Sequence, residues 1–366
     1  MKTLFFYGTL RHIPLLEIVL GRLSSDLDMG PATLPGYEIL AALSGPFPVP
    51  VASPDHAADG IVVRNLSDID LARLNFYEAG FDYDLRSVTL VSGEVCEVYL
   101  PRQIFDTRGL WDVGAWVQHW GAMSVYAAQE VMDQMGAMTP EQIAPIYPRI
   151  RARAWSRVLA QSGRHGQDTL HGQVEIMRRA RPYSNFFAVD DITLRHQTFA
   201  GGMSEVLNRA VFVTSDAAIV LPYDPVRDRV LLVEQIRLGP IGRHDPVLWQ
   251  MEPVAGLVDP GETPQETAQR EGHEEAGLTF YHLEPVGECY ASPGAATDFF
   301  HLFVGLCDLP DDAAGIGGAV EEGENIRSHL MSFEDVLAMA EARKTANAPL
   351  TLLTYWLAHH RTRLRA

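Results

Sequence analysis

Apolar positions form short strand-like runs at the start of the chain, a helical rhythm in the middle, and strands again beyond it. Residues 2–7 read as a strand running straight into Gly8, and residues 95–100 read as another. Between them, Pro35-Gly36-Tyr37 and Phe47-Pro48-Val49-Pro50 punctuate the chain. Gly60-Ile61-Val62-Val63 follows, and Leu74-Asn75-Phe76-Tyr77-Glu78 precedes Tyr83-Asp84-Leu85-Arg86. From 106 to 165 the pattern changes. Trp111, Trp116, Trp120 and Tyr126 interleave with Ala, Gln and Met, and periodic apolar positions continue through Val131 and Met135. Thr139-Pro140-Glu141 sets an N-cap before a Pro at the first helical position.

Gly163-Arg164-His165-Gly166-Gln167-Asp168 is polar and glycine-containing, and marks a domain boundary. Residues 170–200 read as strands with turns at Arg181-Pro182-Tyr183-Ser184 and Val189-Asp190-Asp191; the apolar Phe186-Phe187-Ala188-Val189 suits a core or an interface. Residues 217–224 and 230–237 read as two strands around the turn Asp224-Pro225-Val226-Arg227-Asp228. Further on, the pattern predicts a helix from Pro264 to Ala276. The expected organisation is α+β: a domain over 1–105, a helical, Arg-rich connecting segment over 106–168, and a second domain over 169–366.

Composition narrows the function. A chain of 366 residues is long for one domain, and 47% hydrophobic residues leave ample core material. A net charge of −18 argues against non-specific nucleic-acid binding, since a phosphate backbone selects basic surfaces. It leaves a nucleotide substrate open, because a bound cation and local Arg residues invert the sign inside a pocket. Arg149, Arg151, Arg153, Arg157 and Arg164 make the middle segment the most basic, and docking against an acidic neighbour accounts for them better than binding of a polyanion. Cys96, Cys289 and Cys307 form neither an even framework nor a metal-spaced cluster, which suits buried thiols in a reducing cytosol. Neither a signal peptide nor a membrane span of about 20 apolar residues is expected, so the chain reads as cytoplasmic, with no membrane partner.

The chemistry concentrates after Gly256. On a helix over Pro264–Ala276, Glu271 and Glu275 stand one turn apart on one face, with Glu274 beside them. Like charges so placed repel. A hard divalent cation such as Mg²⁺ reverses that penalty, because it takes carboxylate oxygens and shares its remaining sites with water and substrate phosphates.

The run from Gly256 through Glu262, Arg270, Glu271, Glu274 and Glu275 to Gly277 resembles the Nudix box, the signature of hydrolases that split a nucleoside diphosphate linked to another group. Every fixed Gly, Glu and Arg position matches. Leu278 fits an apolar position, whereas Gly272 stands where a bulky apolar residue is usual. The resemblance implies Glu271, Glu274 and Glu275 as metal ligands, joined by the carbonyl of Ala255, with Mg²⁺ as cofactor and Mn²⁺ as the alternative ion. Gly256 lets the backbone pass close to the metal, and Glu262 and Arg270 pair to hold the loop onto the helix.

Residues 201–359 resemble bacterial ADP-ribose pyrophosphatases, which implies a Nudix α/β/α sandwich. Arg237, at the end of the second strand, then contacts the nucleotide. Pro293, in Ser292-Pro293-Gly294, shapes the loop under the terminal ribose, and Asp298 is an acidic ribose contact. Glu321-Glu322-Gly323-Glu324-Asn325-Ile326-Arg327 resembles the mobile acidic loop that supplies the catalytic base, with Glu322 first and Glu324 second in line. Strands over 169–212 imply a homodimer with an active site built from both subunits.

Residues 1–105 resemble the γ-glutamylcyclotransferase-like (AIG2-like) fold, a β-barrel with helices, on Tyr7-Gly8-Thr9-Leu10 and the Tyr77-Glu78 pair. In active members the backbone of that first turn holds a glutamyl carboxylate. The Glu, here Glu78, moves a proton as the α-amine attacks the side-chain carbonyl, releasing 5-oxoproline. Ala79 intervenes before Gly80, where Gly directly after the Glu is the common pattern.

The expected activity is Mg²⁺-dependent hydrolysis of ADP-ribose, a small nucleotide substrate, to AMP and ribose 5-phosphate. The alternatives are hydrolysis of another nucleotide sugar or dinucleotide, a bifunctional enzyme that adds γ-glutamyl cyclotransfer, and a non-catalytic nucleotide sensor.

Overall fold

The structure is a computed structural model that describes residues 1–78, 83–163, 172–318 and 323–366. The chain divides into two compact units, Met1–Ala210 and Val211–Ala366.

In the first unit, β1 (Lys2–Phe6), β2 (Asp28–Ala42), β3 (Pro48–Leu66), β4 (Tyr83–Thr89), β5 (Val95–Pro101) and β6 (Thr107–Leu110) form a half-barrel sheet in the order β4-β5-β1-β3-β2-β6. β1 lies inside it, antiparallel to β3 and parallel to β5. Its unbroken apolar run is what burial on both faces demands. Leu4 and Phe6 join one core with Leu15, Leu16 and Val19, while Phe5 and Tyr7 join another with Leu34, Val62 and Val98.

The Leu4 side of the sheet is covered by helices Ile13–Leu20, Ala122–Asp133 and Tyr147–Gly163. Met123, Ala127 and Val131 form a stripe at helical spacing, and Ile150 and Ala154 form another; all belong to this core. The segment that composition reads as a connector is thus packed into the first unit. The division of contacts falls beyond it, at residue 210, rather than at the polar stretch 163–168.

The same helices carry a buried ionic network. Glu130 accepts from Arg153 at 2.6 Å and pairs with Arg181, which also donates to Asp190 at 2.6 Å. Arg153 further donates to the carbonyls of Asn185 and Phe186 at 3.0 and 2.9 Å. A buried guanidinium needs such full satisfaction. One arginine of the basic helix therefore serves docking, and Arg149 stacks over Phe186 at 4.1 Å. β7 (Val174–Ser184), β8 (Ala188–His196) and β9 (Leu207–Val213) make a three-stranded sheet, along whose last strand the chain passes into the second unit.

The second unit is built on β10 (Ala217–Asp224), β11 (Arg229–Ile236), β12 (Trp249–Glu252), β13 (Val254–Leu257), β14 (His282–Tyr290), β15 (Phe299–Leu306), β16 (Ile316–Gly317) and β17 (Ile326–Ser332). The main path runs β14-β15-β10-β11-β17-β16, with β12 on β11 and β13 on β10. The turn between β10 and β11 is set by Asp224, whose Oδ1 accepts from the amides of Val226 and Arg227, both at 2.9 Å. Along β10, Ile219, Leu221 and Tyr223 pack with Phe333, Val336, Leu350 and Leu353 of helices Phe333–Glu341 and Ala348–Leu364. The helix Pro264–Ala276 packs on β10 and β13, and Val220, of opposite parity, lies with the Phe280 ring over Gly305. Period-two alternation thus gives the sheet two covered faces. Among the described residues, no helix is long and apolar enough to cross a membrane.

Candidate functional site

The helix Pro264–Ala276 begins and ends on local signals. Thr263 accepts from the amide of Glu266, while the Glu266 carboxylate takes the amide of Thr263 at 2.7 Å, a reciprocal capping box with Pro264 at the first position. Gly277 closes the helix at φ 64°, a left-handed conformation that favours glycine. These stops fix the helical register, and with it the face that carries Glu271, Glu274 and Glu275.

Glu275 is buried, at 3% exposure. Its Oε2 accepts from the amide of Ala255 at 3.2 Å, and its Oε1 lies 3.5 Å from Gln235 Nε2. Glu271 fits over Gly256, where an added Cβ would overlap its carboxylate; only glycine admits it. Burial pushes Glu271 up to about 7 against the pull of Arg270, with Glu274 and Glu324 adding repulsion. Burial, followed by the charge of Glu271, pushes Glu275 up to about 8. Arg270 donates to Glu271 at 2.6 Å, to Glu274 at 3.0 Å and to Glu262 at 3.0 Å. Glu262 also accepts from Thr267 at 2.7 Å. Burial acts to raise Glu262, but the hydrogen bonds from Arg270 and Thr267 outweigh it and hold its carboxyl below the ordinary range.

Among the described residues, no three His, Cys, Asp or Glu side chains are gathered as a metal cluster. Arg270 draws Glu271 and Glu274 to itself, and Glu275 is turned to the Ala255 amide. Two observations nevertheless fit the donor set to a divalent cation. Gly256 leaves a cradle that brings a carboxylate against the backbone, and the all-oxygen donors are those a hard cation takes.

The other residues singled out in the sequence lie as follows. Glu324 stands close enough to Glu271 and Glu275 to raise both. Glu322 lies outside the described residues. Arg237, at the end of β11, donates its Nε to Glu252 at 2.7 Å, and Glu252 in turn accepts from Asn347 at 3.0 Å. Pro293 is exposed in a turn where the Ser292 carbonyl accepts from the amides of Ala295 and Ala296. Burial raises the carboxyl of Asp298, whose carbonyl accepts from the amide of Ala291. Gln235, beside Glu275, was not foreseen; as an inward position on a strand it gives no chemical signal in sequence.

In the first unit, Tyr7, Gly8, Thr9 and Leu10 line a cavity of about 430 Å³ together with Glu78 and other residues. Gly8 has Pro48 close behind it, 2.8 Å from where a Cβ would sit. Tyr7 donates to the Tyr99 carbonyl at 2.9 Å, and Tyr99 donates to Asn75 at 2.7 Å. Glu78 ends the helix Asp68–Glu78, and burial among these rings pushes its carboxyl up to about 8. Ser124, Tyr147 and Arg151 of the helical segment complete the wall. The sequence missed them, because periodicity shows that a helix has an apolar face and not which strand it will meet.

Family comparisons agree with this division. The NUDIX domain model matches residues 213–352, and the model described as "Gamma-glutamyl cyclotransferase, AIG2-like" matches residues 4–118. The chain belongs to the Nudix family through its C-terminal half, and carries an AIG2-like domain at its N-terminal end. It is similar to the ADP-ribose pyrophosphatase of Escherichia coli (strain K12), at 38% identity over 192 residues, covering 52% of this chain and 91% of that one. It is similar to the ADP-ribose pyrophosphatase of Haemophilus influenzae at 36% identity, covering 50% and 85%, and to the GDP-mannose pyrophosphatase of Cronobacter sakazakii at 31%, covering 49% and 92%.

Proposed function

We propose that the protein is a Mg²⁺-dependent pyrophosphohydrolase that cleaves ADP-ribose to AMP and ribose 5-phosphate, with Mn²⁺ as an alternative ion. The observation that carries this reading is the group Glu271, Glu274 and Glu275 on one capped helix, with Gly256 clearing the space over which Glu271 lies. These carboxylates and the Ala255 carbonyl would hold the metal. When bound, it would neutralise charge on the diphosphate and lower the pKa of a bound water. Arg270 and Glu262 keep the loop after β13 fastened to the helix, so that the ligand face stays in register. Arg237, oriented by Glu252, offers its remaining donors to the nucleotide. A carboxylate of the acidic loop, Glu322 first and Glu324 second in line, takes the proton of the attacking water. Pro293 and Asp298 line the ribose end.

The relatives named ADP-ribose pyrophosphatase support this substrate over GDP-mannose, whose hydrolase is less similar at 31% identity. The second reading, another nucleotide sugar or dinucleotide, rests on that relative. A homodimer through 169–212 is supported by β7, which exposes Val174, Ile176 and Met177 at 60%, 58% and 61%. The free thiols of Cys96, Cys289 and Cys307 suit a cytoplasmic protein. Incubating the purified protein with Mg²⁺ and a panel containing ADP-ribose and GDP-mannose, with product identification, tests the reading. AMP and ribose 5-phosphate released fastest from ADP-ribose are expected; faster release from GDP-mannose favours the second reading.

A further inference from the structure

Arg237 is held from behind. Its Nε donates to Glu252 at 2.7 Å, and among the described residues the guanidinium makes no other hydrogen bond. The side chain is 41% exposed, so its two Nη groups stay open to a ligand. Its charge reaches the carboxylate helix: burial first and Glu271 next push Glu275 up, and Arg237 pulls it down. Glu252, on the neighbouring strand β12, is buried at 8% exposure. A carboxylate so placed needs a donor for each oxygen. Asn347, distant by 95 positions in sequence, supplies the second one, its Nδ2 donating to Glu252 Oε1 at 3.0 Å. The same side chain has another task. Its Oδ1 accepts from the Leu350 amide at 2.8 Å and caps the helix Ala348–Leu364. Leu350, Leu353 and Leu357 anchor that helix in the core. One asparagine thus ties a core-packed helix to the carboxylate that directs Arg237. An arginine clamped in advance loses less side-chain freedom when it meets a ligand.

We propose that Asn347 is a positioning residue of the hydrolase: through Glu252 it holds Arg237 in the orientation that meets an anionic group of the nucleotide, and so contributes to substrate affinity rather than to the chemical step. The proposal rests on the reading of Arg237 as a nucleotide contact. It assigns the start of the helix Ala348–Leu364 a part in substrate binding that capping alone does not require.

Two substitutions in the full-length protein separate the cap from the tie. Asn347→Asp keeps a good cap but turns a carboxylate towards Glu252, and Asn347→Ser caps while being too short to reach it. Both should keep the helix by circular dichroism and raise KM for ADP-ribose about tenfold, with kcat within about threefold of the parent. Asn347→Asp combined with Glu252→Gln exchanges donor and acceptor, restores the bond, and leaves an amide oxygen for Arg237; KM should return to within about threefold of the parent. KM within about twofold of the parent in both single variants, a loss confined to kcat, or a rise that the double substitution leaves in place would overturn the proposal. A second readout needs no substrate. The Nε–H resonance of Arg237, assigned by its loss in Arg237→Lys, should exchange slowly with water in the parent and fast in both single variants. A parent that cleaves no nucleotide of the panel would contradict the proposed function and leave this resonance to decide on the tie; exchange equally slow in parent and variants would overturn it.

Discussion

The ring of Phe280 occupies the space that a side chain at Gly272 would fill: a Cβ built there would overlap its Cε2. The position that the Nudix-box pattern gives to a bulky apolar residue is thus filled from the chain just after the helix. Phe280 is clamped, since a Cβ at Gly305 would strike its other edge at 2.5 Å. Gly272→Ala would ordinarily stabilise a helix by about 1 kcal/mol, but with no room for the ring to retreat a net loss of about 1–2 kcal/mol is expected. Phe280→Ala should cost about 3–5 kcal/mol, and Gly272→Leu combined with it should recover part of that loss. Thermal unfolding of the three variants checks this; a Gly272→Ala protein more stable than the parent would refute the packing account.

Gly256 makes the same kind of room for Glu271. Gly256→Ala should leave secondary structure unchanged but displace the carboxylate, lowering metal-dependent turnover by about a hundredfold, the scale of a lost ligand-orienting contact. Circular dichroism together with turnover measured across Mg²⁺ concentration decides it. Unchanged turnover at low Mg²⁺ would mean that Glu271 does not need this position.

Local signals made much of this legible before the fold was in hand. Thr263, Pro264 and Gly277 announce the helix ends, and Asp224 announces the β10–β11 turn, because each acts through its own neighbouring backbone. The spacing of Glu271, Glu274 and Glu275 is likewise read from one helix. What stayed hidden depends on chain segments far apart. Phe280 filling the gap at Gly272 and Gln235 beside Glu275 are examples. So is the packing of the 106–168 helices on the half-barrel, since an amphipathic face does not name its partner. Arg153 meeting Glu130 belongs to the same class, the basic helix having found its acidic neighbour inside its own unit.

That network makes a stability prediction. Glu130→Gln leaves the Arg153 guanidinium buried without its counter-charge, and breaking such a pair costs about 3–5 kcal/mol. Denaturant unfolding should show the loss. A change below about 1 kcal/mol would mean that the Asn185, Phe186 and Asp190 acceptors suffice.

Glu78 gives a pH signature. Its carboxyl is raised from the usual 4.5 to about 8, so the folded state holds a proton that the unfolded state releases. The favourable contribution of the neutral form is complete below about pH 4.5 and is lost as pH rises towards and through about 8. Between pH 5 and 8 the unfolding midpoint of the first unit should fall more steeply in the parent than in Glu78→Gln, while ADP-ribose hydrolysis at pH 7 is unchanged by the substitution. Equal slopes would contradict the buried-carboxyl account, and loss of hydrolysis would tie the first unit to pyrophosphate chemistry.

The most direct test of the central claim is turnover of ADP-ribose by Glu275→Gln, an isosteric change that removes one charge from the helix face. With Mg²⁺ present the parent should release AMP and ribose 5-phosphate and stop when the metal is chelated. The variant, folded by circular dichroism, should be slower by about a hundredfold or more. Turnover within about threefold of the parent would show that the cation does not depend on this carboxylate.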